Sequence, residues 1–282
     1  MHTIRPSDTS KPEWKECQTG IMPVSRRRSV MPHLSILAMF FLIPAISCAH
    51  DLWINISSHF PQPGDSVKAY LGWGHHYPFS DFLSPKRVES MALLRPDGTL
   101  IPIVPGKKEP GIPIHIEHEG VYIVGAAIRP GYYTKTSHGH GFKSKKESKD
   151  VISSTWYEKY AKAVICAGNG SEGPYGKAFG HAIEIIPLDN PCKMRPGGDL
   201  RVKVLRSGRP LKGAFIYKSR LGQPSDKALS CPERTDKNGV AKIHLAQEGI
   251  WRLMVKQKEP PLDPALCDNR AYTAFLTFAV RE

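Results

Sequence analysis

From residue 50 to the end of the chain, short apolar or alternating runs are repeatedly cut by Gly, Pro, Asn and Asp. "SVKAYLGW" (66–73), "RVESMALLRP" (87–96), "VYIVGAAIRP" (121–130) and "HAIEIIPL" (181–188) all have strand length and strand composition. "RPDGTL" (95–100) carries an Asp97-Gly98 turn, a strong hairpin signal. This punctuation predicts an all-β chain. One segment reads two ways. In "SSTWYEKYAKAVI" (153–165), Trp156, Tyr160, Ala163 and Val164 share a helical face, yet the same stretch also reads as a strand. Residues 136–150, "TSHGHGFKSKKESKD", are polar and Lys-rich and predict a long exposed loop.

A Pro- and Gly-rich stretch at 188–198 predicts a linker between two units, 50–187 and 199–282. The second unit runs strand, turn, strand through "DLRVKVLRSGRPLKGAFIYKS", turns at Asn238-Gly239, and closes with "EGIWRLMVKQ" and "AYTAFLTFAV". Evenly spaced short strands predict two β-sandwich domains. The order of "G-x-P-L-x-G-A", "T-D-x-N-G" and "G-x-W" resembles transthyretin-like or carboxypeptidase-regulatory-like sandwiches, modules that pack or bind more often than they catalyse.

The first 49 residues have a different character. Arg26, Arg27 and Arg28 precede the uncharged run "LSILAMFFLIPAI" (34–46), and Ser47-Cys48-Ala49 follows with small residues at the positions a signal peptidase reads. A basic cluster, an apolar run of about 7–15 residues and a small-x-small site predict a secretory signal. A membrane span needs about 20 apolar residues, so a retained anchor is the weaker reading, as is lipidation of Cys48. Residues 1–25 read as an extension upstream of a start at Met22 or Met31. Cleavage after Ala49 would release a periplasmic protein. The removed segment holds six Lys/Arg and three Asp/Glu, leaving 33 against 23 and a net charge of +10. Export argues against a nucleic-acid partner; an anionic membrane surface or wall polymer fits better. Cys166, Cys192, Cys231 and Cys267 are left, none in CxxC spacing, which excludes a zinc ribbon. In an oxidising compartment they allow two disulfides. Cys231 with Cys267 is the preferred pair, with unpaired buried thiols as the alternative.

Cleavage after Ala49 would make His50 the first residue. Its α-amine, with a pKa near about 7.7–8.0, and its imidazole could then chelate one metal ion. Nitrogen ligands suit Ni²⁺, Cu²⁺ and Zn²⁺. His75 and His76 in "GWGHHYP" stand at an expected strand end, and His138 and His140 in "SHGHGF" have the alternate spacing that puts two side chains on one face of an extended segment. His115, His118, His181 and His244 sit within strand patterns and read as structural. Asp51 reads as a cap of the first strand. There is no G-x-S-x-G, H-E-x-x-H or P-loop, and "GNGSEGPYG" (168–176) lacks the Lys-Ser/Thr of a phosphate loop.

"AHDLWI" directly after an export signal, then "YEKYAKAVI", "GHAIEIIPLDNP", "GRPLKGAFI", "TDKNGVAKIHLAQEGIWRL" and "AYTAFLTF" in that order, resemble the periplasmic NikM/NikK-type subunits of nickel transport complexes, a family also described as a domain of unknown function. The resemblance spans essentially all of 50–282. It implies export, a β-sandwich chain, a partnership with an energy-coupling-factor type nickel or cobalt transporter in the membrane, and His50 as the metal-facing residue. The expected role is a non-enzymatic capture of Ni²⁺, with Cu²⁺, Co²⁺ or Zn²⁺ as alternatives. Two other classes stay open: a copper monooxygenase with an N-terminal histidine brace, and a metal-free interaction module.

Overall fold

The structure, a computed structural model, describes residues 50–75, 77–78, 81–106, 111–170, 172–222 and 232–282. The expected export signal and cleavage position, together with His76 and Cys231, lie outside the described residues. In chain order the strands are β1 (Asp51–Ile56), β2 (Ser66–Gly74), β3 (Asp81–Phe82), β4 (Val88–Leu94), β5 (Leu100–Pro102), β6 (Gly111–His115), β7 (Gly120–Ile128), β8 (Gly131–Thr136), β9 (Gly139–Gly141) and β10 (Val151–Ala167). They continue as β11 (Ile183–Pro187), β12 (Gly198–Arg206), β13 (Arg209–Pro210), β14 (Phe215–Arg220), β15 (Glu233–Arg234), β16 (Val240–Leu245), β17 (Gly249–Glu259) and β18 (Asn269–Val280). The chain is all-β, as the punctuation predicts. The Asp97-Gly98 turn closes the β4–β5 hairpin: Gly98 takes φ +86°, its N–H donates to Arg95 O at 3.0 Å, and Thr99 N donates to Asp97 Oδ1 at 2.8 Å.

The strands form three sheets. β1, β2, β3 and β6 make one, and β11, β12, β13 and β16 make another. Between them in composition lies a ten-stranded sheet ordered β15-β14-β17-β18-β10-β7-β4-β5, with β8 and β9 alongside β10. This sheet draws on both expected units. Its joint is the parallel pairing of β10 with β18, from Thr155↔Asn269 to Ala163↔Thr277.

Two cores flank the ten-stranded sheet, and two-residue alternation assigns its side chains to them. On β7, Val121 and Ile123 enter one core while Tyr122, Val124, Ala126 and Ile128 enter the other. On β10, Tyr160, Val164 and Cys166 face the first, and Ala161, Ala163, Ile165 and Ala167 face the second. The first core is completed by Ile183, Ile185, Leu200, Val202 and Ile243 of the β11–β16 sheet, the second by Leu52, Ile54, Val67, Leu71 and Ile114 of the β1–β6 sheet. Strands buried on both faces lose the apolar/polar alternation, which is why β7 is buried at every residue.

Several expectations need correcting. Of the two readings left open for residues 153–165, the strand one holds: they lie within β10, where Trp156, Tyr160 and Val164 share a face at strand period. Both edges of β10 are paired, with β8 and β7 on one side and β18 on the other. The 136–150 segment is not one long loop. β9 folds back on β8, a 3₁₀ turn follows at Lys145–Glu147, and Lys145 Nζ reaches Asp268 at 2.6 Å. Residues 188–198 include a 3₁₀ turn, Pro191–Lys193, in which Asn190 accepts from Cys192 N at 2.9 Å and Pro191 and Cys192 are buried. The disulfide joins Cys166 to Cys192, and Cys267 is a buried free thiol, so the preferred Cys231–Cys267 pair does not form. The linker is therefore bonded to the end of β10, a proximity that exists only once β11 has folded back. No helix among the described residues is long and apolar enough to cross a membrane.

Candidate metal-binding site

β1 pairs antiparallel with β2, with Asp51 opposite Gly74 and Leu52 opposite Trp73. The start of β1 therefore meets the end of β2. His50, one residue before β1, stacks on Trp73 with ring centroids 5.5 Å apart and on His75 at 4.5 Å, with interplanar angles of 20° and 27°. His50 and His75, 25 residues apart in sequence, are thus brought together by strand register.

Cations surround this pair. Arg87, in the 3₁₀ turn Pro85–Arg87, lies 4.4 Å over the Trp73 ring and 5.4 Å over Phe142, and its Nη2 donates to Tyr157 Oη at 3.0 Å. Lys159 of β10 is buried, 5.9 Å over Trp73 and 3.9 Å from the Asp51 carboxylate. Lys256 of β17 lies 3.1 Å from the same carboxylate. Asp51 therefore bridges two lysines and does not cap β1. Burial, helped by His75, Arg87 and Lys159, holds the His50 imidazole below its ordinary pKa, and Asp81 opposes them. Lys159 is pushed down to about 8 by burial, against the pull of Asp51. A neutral imidazole has a lone pair to offer a metal.

Trp53 is fully buried, and its Nε1 donates to Pro78 O at 3.0 Å while Asn55 Nδ2 donates to the same oxygen at 2.9 Å. Arg252 lies 4.5 Å over Tyr77 and 5.6 Å over Trp53, and burial raises the Tyr77 phenol to about 12. Gly72 is required here: a Cβ on it would fall 2.1 Å from Trp53 Nε1.

The remaining histidines of the sequence reading separate. His138 is exposed and stands 3.6 Å from Asp150, whereas His140 stacks on Tyr133 at 5.2 Å; each has its own partner. The hairpin nevertheless reaches toward His50 through Phe142, which touches Arg87. His115 and His244 are exposed, each beside its own partner, Ser66 Oγ at 3.4 Å and Asp199 Oδ1 at 2.9 Å. His181 is stacked on Tyr160 at 4.7 Å, and burial takes its pKa to about 4. Among the described residues, no three His, Cys, Asp or Glu side chains group as metal ligands. A metal here would rest on His50 and His75, with the His50 amine as the third nitrogen after cleavage. The sequence reading missed Trp73, Arg87, Lys159 and Lys256. Lys159 had a signal of its own, a cation inside the otherwise strand-like "YEKYAKAVI".

Comparisons with known proteins add a family but no activity. The D0–D1 domain of Intimin is 11% identical, with a TM-score of 0.21 over 81% of this chain and 97% of that one. Murine CEACAM1b is 10% identical at 0.20, covering 82% and 98%. The Escherichia coli adhesin FdeC is 14% identical at 0.21, covering 83% and 65%. Likenesses this distant carry no inference for this chain. No curated protein matches it. Residues 47–259 match the model of a domain of unknown function, DUF4198, which has no stated link to nickel. That match spans most of the chain, from the expected cleavage position through β17, and the chain therefore belongs to the DUF4198 family.

Proposed function

We propose that this is an exported, non-enzymatic accessory protein that captures a divalent transition metal, Ni²⁺ foremost, for a membrane uptake transporter. The observation that carries the reading is that the β1–β2 register brings the His50 and His75 rings within 4.5 Å of each other beside the expected cleavage position; their in-plane nitrogens would converge on one ion once the rings turn out of the stacked arrangement. Cleavage after Ala49 would add the α-amine, giving three nitrogen donors from two residues. Such a set suits Ni²⁺ and Cu²⁺. The depressed pKa of His50 keeps its imidazole available at neutral pH. Residue 49 must be absent for the amine to be free, so metal capture would be confined to the processed protein outside the cytoplasm.

Titration calorimetry with Ni²⁺ tests this on the processed protein and on the same chain with one extra N-terminal residue. The extra residue converts the amine to an amide and is expected to weaken affinity at least about tenfold, roughly 1.4 kcal/mol. Equal affinities would remove the His50 amine from the site. Absence of binding in both would favour the metal-free module.

A further inference from the structure

The surroundings of His50 and His75 are those of an anion site as much as a cation site. Arg87 is clamped between Trp73 and Phe142 and donates to Tyr157, but among the described residues it has no carboxylate partner. Asp51, the acid on β1, is committed to Lys159 and Lys256. Asp81 on β3 stands opposite Trp73 in the β2–β3 pairing and is the second acid at this end of the sheet. A bare divalent cation would enter a positive field at this position, and partial burial strengthens that field by lowering the local dielectric. Three nitrogen donors also leave coordination positions to be filled from outside. Arg87, held in a fixed orientation by two rings and a hydroxyl, keeps guanidinium N–H donors that match a carboxylate.

Resting on the metal-capture reading, we propose that the site takes its metal as a complex with a small polycarboxylate. The metal would be held by His50 and His75, and a carboxylate of the chelator would pair with Arg87. The complex carries less positive charge than the free ion, which resolves the conflict between cargo and surroundings.

Equilibrium dialysis of the processed protein against nickel, citrate, and both together, counting each species retained, tests the proposal with citrate as the probe. About one citrate retained per nickel is expected, with little citrate held when nickel is absent. Arg87→Gln, checked for an unchanged far-ultraviolet spectrum, is expected to lower citrate retention about tenfold, and Arg87→Lys to restore part of it. Nickel retained as tightly without citrate as with it by the wild-type protein would overturn the proposal and leave metal capture standing. Nickel retained under neither condition would overturn both. Citrate held equally without nickel, or undiminished in Arg87→Gln, would overturn the proposal by showing that the metal or Arg87 has no part in holding it. The wild-type measurement decides the question even if the glutamine variant fails to fold.

Discussion

Lys162 Nζ stands 2.9 Å from Glu184 Oε1, and each side chain is only 2% exposed. The same carboxylate oxygen accepts from Phe179 N at 2.7 Å, and the Phe179 ring lies 5.6 Å from Lys162 Nζ. Removing two charges from water costs several kcal/mol per ion, and their attraction offsets that only while both partners remain. Glu184→Leu should therefore lower the unfolding free energy by about 3–5 kcal/mol, while Lys162→Met with Glu184→Leu should recover most of the loss. Urea titrations of the two variants check this; a double variant as unstable as the single one would show that the stranded lysine is not the cause. Both residues interrupt apolar runs, "YAKAVI" and "AIEII", so each is visible as an anomaly. Their pairing is not visible, because alternation assigns a residue to a face and cannot say which residue on the opposing sheet meets it.

At the scale of elements, β10 and the turn after β11 are bound by Cys166–Cys192 across 26 residues of sequence. A cross-link closing a loop of this size restricts the unfolded chain and is worth about 3 kcal/mol. Cys166→Ala with Cys192→Ala should lower stability by about 2–4 kcal/mol in urea titrations, with Cys267→Ala alone expected to fall short of that. An undiminished midpoint in the double variant would mean the bridge constrains nothing that packing has not already fixed. Four cysteines in a chain whose sequence predicts export make two bridges a fair expectation, but connectivity is a question of distance. Cys192 reaches Cys166 because β11 folds back and the Asn190-capped turn aims its side chain inward. β10 illustrates a related ambiguity. A run with apolar residues at both strand and helix spacings is resolved only by its neighbours, and β7, β8 and β18 supply the backbone partners that a helix would have supplied internally.

At the scale of the molecule, the described residues form two cores that share one sheet. β18, near the C-terminal end, pairs with β10 and fills both cores: Tyr272, Ala274, Leu276 and Phe278 face one, and Phe275 the other. Neither half can be removed without exposing the other's apolar surface. The chain from residue 50 is accordingly expected to unfold in a single transition, with calorimetric and van't Hoff enthalpies in agreement. A fragment ending at 187 is expected to lack dispersed side-chain signals by NMR, since one edge of β10 would lose its partner. Two resolved transitions, or a folded fragment, would show that the halves are independent. The sequence division at 188–198 marks a real change in pattern. It does not reveal that strands from the two sides hydrogen-bond in one sheet, because pairing over a separation of 114 residues, as between Thr155 and Asn269, leaves no local trace.

The sequence by itself determined the strand content, the Asp97-Gly98 hairpin and the turn at Asn238-Gly239, because these follow from periodicity and from the backbone freedom of individual residues. Only the tertiary structure decided that His50 meets His75 and Trp73, that Arg87, Lys159 and Lys256 gather around them, and that Lys162 finds Glu184. Those contacts depend on register and on the twist that carries separate strands to one place. A one-residue slip of β1 against β2 would turn every side chain to the opposite face and dissolve the site without changing a residue.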